Sequence, residues 1–201
     1  MTRIDLTQFS WLNESQARFE KDTLIIDAPA KTDFFCNEGF VSETGVSPDN
    51  LSNAPFLYQE VEGDFIMHVE VSHPFADLYD AAVLMVMENE SLWAKACFEN
   101  TDLGTKAVVS VVTNQTSDDA NGPTIEQDTV WLQVARVGPA FSFHYSLDGN
   151  QFDMMRVFNL PVSSIVKVGL VAQAPDGQGG PRFFKNFLLE KRTVKNLREG
   201  K

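Results

Sequence analysis

The chain has 201 residues, of which 43% are hydrophobic and 22% are charged. This composition is typical of a single globular domain that buries its core without disulfides or metals. The formal net charge of −12 repels phosphate backbones and anionic lipids, so nucleic acid and membrane are disfavoured as partners. No apolar run approaches the length of a membrane span, and no leader sequence is visible. With two separated cysteines, Cys36 and Cys97, we expect a cytoplasmic protein with reduced thiols.

Alternating apolar and polar residues between turn residues predict about a dozen β-strands at roughly ten-residue spacing. No segment shows a helical period over three turns. In chain order, the predicted strands are Leu24–Ala28, Thr32–Cys36, Phe56–Val61, Asp64–Ser72, Tyr79–Glu88, Ser91–Glu99, Thr105–Thr113, Val130–Val137, Ala140–Leu147, Gln151–Phe158, Val162–Gln173 and Phe183–Lys191. We therefore predict one all-β domain over residues 1–201, a two-sheet antiparallel β-sandwich with its core at about 8–190.

Turn residues indicate how neighbouring strands connect. Glu62-Gly63 predicts that the strands on either side of it pair, and Gly138-Pro139 predicts a tight hairpin. Asp148-Gly149 predicts a further turn. The polar stretch Asn37–Pro55 is longer than an ordinary connection, which is typical of a lid or binding loop, although a plain surface excursion explains it equally well.

The charge is distributed unevenly along the chain. From Lys31 to Glu62 there are six acids and one lysine, whereas from Arg182 to Lys201 there are seven basic residues and two acids. We expect residues 191–201 to form a solvated basic tail. The alternative is a docking tail for an acidic partner.

The strand Leu92–Glu99 has two different faces. Leu92, Ala94, Ala96 and Phe98 form an apolar face, and the opposite face consists of Trp93, Lys95, Cys97 and Glu99. An aromatic plate beside charged groups can stack on a sugar ring and hydrogen-bond its hydroxyls. A cross-strand salt bridge beside a packed tryptophan explains the same pattern.

Metal and cofactor signatures are missing from the sequence. The three histidines, His68, His73 and His144, lack the spacing of zinc ligands, so we expect no metal. The pairs Asp118-Asp119 and Asn121-Gly122 resemble part of a calcium loop, but they lack its full spacing and predict an ordinary turn. Nucleotide-binding and nucleophile motifs are also missing, so we expect no cofactor.

Carboxylates that could serve a glycosidase do not follow the strand motif of sandwich-fold glucanases. Glu60, Glu62 and Asp64 alternate but lead directly into an apolar run. We expect them to be solvated charges at a sheet edge.

Several motifs resemble a known family. In order, they are Thr32-Asp33-Phe34-Phe35, Tyr79-Asp80-Ala81-Ala82-Val83-Leu84, Trp93-x-Lys95-x-x-x-Glu99, Ser110-Val111-Val112-Thr113, Ser117-Asp118 and Tyr145-Ser146-Leu147-Asp148-Gly149. Over roughly residues 8–190 the chain resembles a family of concanavalin-A-like domains of unknown function, within the lectin/glucanase superfamily. That family includes a fungal protein associated with regulation of enolase and domains appended to some β-xylosidases. The resemblance implies a jelly roll with a concave face.

The resemblance also implies a set of candidate ligand-binding residues on that concave face: Asp33, Tyr79, Asp80, Trp93, Lys95 and Glu99. The chain departs from the family pattern at three points. Phe35 replaces a usual Trp, Asp119 replaces another, and Ala81-Ala82-Val83-Leu84 stands where Gln-Ala-Gly-Leu is common. No settled activity is implied.

Three functions remain open. The leading hypothesis is a non-catalytic carbohydrate-binding or sugar-sensing protein. The second is a regulatory protein that binds a metabolic enzyme such as enolase, because of the fungal relative and the basic residues 192–201. The third is a carbohydrate-active hydrolase or isomerase that uses Glu99 and Asp80 as acid and base, with Lys95 tuning them.

Overall fold

The computed structural model describes residues 5–37 and 50–201. Two antiparallel seven-stranded sheets pack face to face, and the only helical element in this part of the chain is a 3-10 turn at Leu6–Gln8. The predicted two-sheet sandwich is therefore confirmed. Within the described ranges, no helix is long and apolar enough to span a membrane.

Sixteen strands form within the described residues. They are β1 (Ser10–Leu12), β2 (Ala17–Glu20), β3 (Thr23–Pro29), β4 (Phe34–Phe35), β5 (Leu51–Ser52), β6 (Phe56–Glu62), β7 (Phe65–Ser72), β8 (Ala81–Asn89), β9 (Leu92–Asn100), β10 (Lys106–Asn114), β11 (Thr116–Thr124), β12 (Thr129–Val137), β13 (Ala140–Ser146), β14 (Asp153–Asn159), β15 (Ile165–Gln173) and β16 (Gly179–Glu190).

Sheet A has the order β1-β6-β15-β8-β9-β10-β11, and sheet B has the order β14-β13-β12-β7-β16-β3-β2. The hairpin predicted at Gly138-Pro139 is present as β12 and β13, and β13 continues to β14 through Asp148-Gly149. The pairing predicted around Glu62-Gly63 is wrong, because β6 belongs to sheet A and β7 to sheet B. Gly63, with φ of 78°, turns the chain from one sheet to the other.

Alternate residues of each sheet meet in the core between them. In β7 the buried set is Phe65, Met67, Val69 and Val71, and in β9 it is Ala94, Ala96 and Phe98. Full burial of a large apolar side chain stabilises the fold by about 1.5–3 kcal/mol. This core forces the opposite residues of β9 onto the outer face of sheet A.

A buried ion pair joins the two sheets at one end. Nη2 of Arg182, on β16, lies 2.8 Å from Oδ1 of Asp80, and both side chains are fully buried. The same guanidinium donates to the carbonyl oxygen of Gln173 at 2.7 Å and to that of Ala81 at 3.1 Å. Breaking such a pair leaves an uncompensated charge in the core, so it fixes how the sheets meet at this end.

The segment of Asp118-Asp119 and Asn121-Gly122, predicted to be an ordinary turn, is instead a strand. β11 pairs with β10 along its length, with Asp119 opposite Val111 and Asn121 opposite Val109. Its composition, rich in Asp, Asn, Gly and Pro, is unfavourable for a strand. Backbone pairing with β10 overrides that local preference at the edge of sheet A.

The basic tail predicted to be solvated is folded onto the protein. Val194 is only 6% exposed and packs with Ile66 and Ala135 on the outer face of sheet B. Gly200 is also buried. The prediction was wrong because it was based on the net charge of the segment. The apolar residues that lie between its cations pack against the sheet.

Most of the predicted long loop, residues 38–49, lies outside the described residues. Its two ends are described. They pair as β4 and β5, where Phe34 lies opposite Ser52. This short ladder lies against the outer face of sheet A.

Candidate functional site

The outer face of sheet A has β9 at its centre, between β8 and β10. Trp93, Lys95, Cys97 and Glu99 all project from this face, as the alternation predicts. Across the neighbouring strands, Glu99 lies between Ala81 and Ala107, whereas Lys95 lies between Met85 and Val111.

Part of this face is covered by the chain itself. Phe34, from β4, is fully buried against it. Its ring packs edge-on against Trp93 at a centroid distance of 6.2 Å and against Phe56 at 6.3 Å. The polar face expected from the sequence is therefore closed over its Trp93 half.

Lys95 is 2% exposed and has three hydrogen-bond acceptors. Its Nζ donates to Asp33 Oδ1 at 2.7 Å, to the Phe34 carbonyl oxygen at 2.8 Å and to Gln173 Oε1 at 3.0 Å. Burial is the largest single influence and would lower the pKa of Lys95, but the charge and hydrogen bond of Asp33 together with the charges of Cys97 and Glu99 outweigh it, and the pKa is raised. An ammonium has three donors, so Lys95 has none left for a ligand.

Trp93 is fully buried and does not offer an open stacking plate. Its indole Nε1 donates to the Glu90 carbonyl oxygen at 3.1 Å. The structure thus matches the alternative of a packed tryptophan beside an ion pair. The partner of the lysine is Asp33, from the covering segment, and not a residue on a neighbouring strand of the sheet.

Glu99 differs from Lys95 because its charge is not matched by hydrogen bonds. The residue is 8% exposed, and no group among the described residues donates to its carboxylate. Burial raises the pKa of Glu99 well above its usual range, Lys95 opposes this shift, and the nearby carboxylate of Asp119 adds to it. A strongly perturbed carboxyl of this kind marks a candidate functional site.

Tyr79 and Asp119 interact electrostatically with Glu99. Burial raises the pKa of the Tyr79 hydroxyl, and the charges of Asp102 and Glu99 add to the shift. Tyr79 has a φ of 61°, which is uncommon for a residue with a side chain. Its backbone N–H donates to the Asn100 carbonyl oxygen at 2.8 Å, which anchors Tyr79 beside the end of β9.

Asp119 is the residue of this cluster that sequence reasoning missed. The family pattern has a tryptophan at its position, and its segment was predicted to be a turn. The available signal was the alternation of Ser117, Asp119 and Asn121, which places the three side chains on one face of an edge strand.

Asp80 does not belong to this face. It precedes Ala81, whose side chain lies beside Glu99, so Asp80 points the other way, into the core, where it pairs with Arg182. The proposed acid and base, Asp80 and Glu99, lie on opposite sides of sheet A. The expectation that they form a catalytic pair is wrong.

Metal ligands do not converge at this site. Among residues 5–37 and 50–201, no group of three or more His, Cys, Asp or Glu side chains could hold a metal ion. Cys97 and Cys36 are free thiols, and Cys97 is buried below the covering segment.

Replacing Lys95 with Met should destabilise the fold by about 3–5 kcal/mol, because Asp33 would remain buried without its cation. The matched control is Lys106→Met, which removes an exposed ion pair with Asp128 and should cost less than about 1 kcal/mol. Urea unfolding of both variants measures the difference. Equal costs would contradict the role of Lys95 as the residue that holds the covering segment.

Known proteins resemble this chain over nearly its full length. A family model described as "Protein of unknown function (DUF1349)" matches residues 11–192. The protein "Regulation of enolase protein 1" of Saccharomyces cerevisiae is 29% identical over 191 residues, covering 92% of this chain and 90% of the relative.

Solved structures show the same fold. A functionally unknown protein from Saccharomyces cerevisiae superposes with a TM-score of 0.82 and 26% identity, over 95% of this chain and 100% of the other. Lectin I-B4 from Griffonia simplicifolia gives a TM-score of 0.56 at 9% identity, over 92% of this chain and 93% of the lectin. The sandwich is thus of the concanavalin-A-like type that the sequence motifs predicted. Because the family model spans most of its length, the chain belongs to the DUF1349 family of proteins of unknown function.

Proposed function

We propose that this protein is a non-catalytic carbohydrate-binding protein, and that its ligand contacts the Glu99 end of the outer face of sheet A. The observation that supports this most is the Glu99 carboxyl, which is buried, lacks a hydrogen-bond donor and has a pKa raised well above its usual range. A protonated carboxyl donates one hydrogen bond and accepts others. Sugar hydroxyls have the same dual capacity.

The charges around the site favour a neutral ligand. Asp33, Asp102 and Asp119 all act on Glu99 electrostatically, and each raises its pKa. This acidic surrounding repels an anionic metabolite. In this proposal Glu99 is protonated and both donates and accepts hydrogen bonds, a capacity that an uncharged polyol matches better than an anion does.

The candidate residues divide into two roles. Glu99 and Tyr79, together with Asp119, contact the ligand. Trp93, Lys95 and Asp33 build the wall beside it, since Lys95 holds the covering segment against the sheet. Asp80 is not part of the site. The absence of Asp80 from this face also weakens the hydrolase or isomerase hypothesis, which needed it as a second catalytic group.

Glu99→Gln and Glu99→Leu test this proposal. Glutamine keeps an amide donor and acceptor where the protonated carboxyl has them, so the Gln variant should bind a glycan that an array identifies for the wild type. The Leu variant should lose about tenfold in affinity, the equivalent of one good hydrogen bond. Wild-type binding should also weaken as the pH rises through the raised pKa of Glu99, because the ionised carboxylate no longer donates, whereas binding by the Gln variant should not change with pH.

Titration calorimetry at several pH values measures both effects, with Asp22→Asn as the control. Asp22 is exposed on the turn before β3, so its loss removes one charge far from the site. If the wild type binds no glycan on the array, or if Glu99→Leu binds as well as the wild type, the proposal is wrong.

A second candidate function is regulation of a metabolic enzyme, and the name of the yeast relative favours it. If this chain shares that role, purified enolase should form a complex with it that elutes early from a sizing column and alters enolase turnover. Glu99→Leu should leave such a complex intact unless the two functions use the same face. Separate elution of the two proteins and unchanged turnover would count against this candidate.

A further inference from the structure

The C-terminal segment of residues 192–201, here called the strap, crosses the outer face of sheet B, on the side of the molecule opposite the candidate carbohydrate site. Val194 and Leu197 point inward and pack with Ile66 and Ala135. Gly200 is the next inward residue at the same spacing of three and is buried. The strap therefore has a regular inner side.

Polar contacts fix the end of the strap. Nε2 of Gln133 donates to the Gly200 carbonyl oxygen at 3.3 Å, and Nε2 of His144 lies 3.3 Å from the Arg198 carbonyl oxygen. Gly200 has a φ of 67°, and a Cβ there would overlap Gln133 Nε2. Only glycine fits this position without strain.

The outer side of the strap has a row of three cations, with one exposed acid, Glu199, beside them. Lys195, Arg198 and Lys201 follow the inward residues one position later, again at a spacing of three, and all three are exposed. Within the part of the chain that the structure describes, none of them forms an ion pair. The packing below them thus fixes the backbone that carries these three positive charges.

This row stands out against the charge of the rest of the protein. The strap has four basic residues and one acid, a net charge of +3, and the whole chain has −12. The difference, −12 − 3, leaves −15 on residues 1–191. An approaching acidic group is therefore attracted to the strap and repelled elsewhere.

A small cavity adjoins the strap. Its volume is about 180 Å³, and its lining includes Phe152, His68, Gln133 and Lys201, with Arg192 and Glu190 paired to each other at 2.9 Å. The rings of His68 and Phe152 are stacked with centroids 5.8 Å apart. This size is below that of a typical pocket for a drug-sized ligand, and it suits a single apolar or aromatic side chain beside an acid.

We infer that the strap and this cavity form a docking surface for an acidic protein segment that carries one apolar anchor residue. The acids face Lys195, Arg198 and Lys201, and the anchor enters the cavity beside Phe152. Anchors of this kind in small desolvated pockets supply much of the affinity of an interface. The fixed strap also lowers the entropy cost of ordering the cations on binding.

The charge distribution favours the binding of a short acidic protein segment over that of an extended polyanion. At physiological salt, charges interact over about 8 Å, so a short segment on the strap contacts only its cations. A DNA duplex or an anionic membrane extends beyond the strap and meets the acidic remainder of the surface. This inference does not depend on the carbohydrate proposal, because the two surfaces belong to different sheets.

Fluorescence polarisation with a labelled peptide of glutamates around one central phenylalanine tests the inference on the full chain. The peptide should bind, and Arg198→Glu should weaken binding about five- to tenfold by charge reversal. The matched control Lys21→Glu, in an exposed turn of sheet B, should change it little. A peptide with glutamate in place of the phenylalanine should bind more weakly, and so should the Phe152→Ala variant.

A variant that keeps every charge but frees the strap tests whether peptide binding needs the strap held in place or only its net charge. Gly200→Val should release the end of the strap, seen as faster hydrogen exchange of the Asn196 and Lys201 amides, and should weaken peptide binding. Unchanged affinity after release of the strap would overturn the inference. Failure of the peptide to bind, or equally tight binding of duplex DNA or of phosphatidylserine vesicles at the same salt concentration, would overturn it as well.

Discussion

The arrangement of the candidate site depends on the three hydrogen bonds of the Lys95 ammonium. They tie the segment of Asp33 and Phe34 to the centre of sheet A, and a third bond reaches Gln173 on β15. Removing an ammonium from water is costly, and only complete pairing offsets that cost. Lys95 is therefore a structural residue, although its position in the middle of a polar face suggests a ligand contact.

The fold was largely predictable because, in a two-layer sandwich, the alternation of apolar and polar residues along a strand indicates which of its residues are buried. β9 shows this most clearly, since its apolar residues all face the core and its polar set all faces out. β11 was not predictable, because its composition favours turns and its pairing with β10 is a property of the sheet. The connection at Gly63 was predicted to join a paired hairpin, but a glycine with positive φ serves equally well in a link between two sheets.

The site was only partly predictable, because alternation gives the face of a residue and not what covers that face. The common face of Trp93, Lys95 and Glu99 follows from the sequence. The closure of that face by Phe34 depends on contacts between segments about sixty residues apart and leaves no local signal. Asp80 was assigned to this face by resemblance alone, and its burial beside Arg182 shows the limit of that argument.

The central claim is that the closed face retains one unpaired carboxyl, that of Glu99, in a neutral state. The most direct measurement is an NMR titration that follows the side-chain carboxyl carbon of Glu99 in protein labelled with carbon-13 glutamate. The account predicts a pKa well above the ordinary value for glutamate. An ordinary Glu99 pKa would contradict the account, because the carboxylate would then be ionised and paired or solvated.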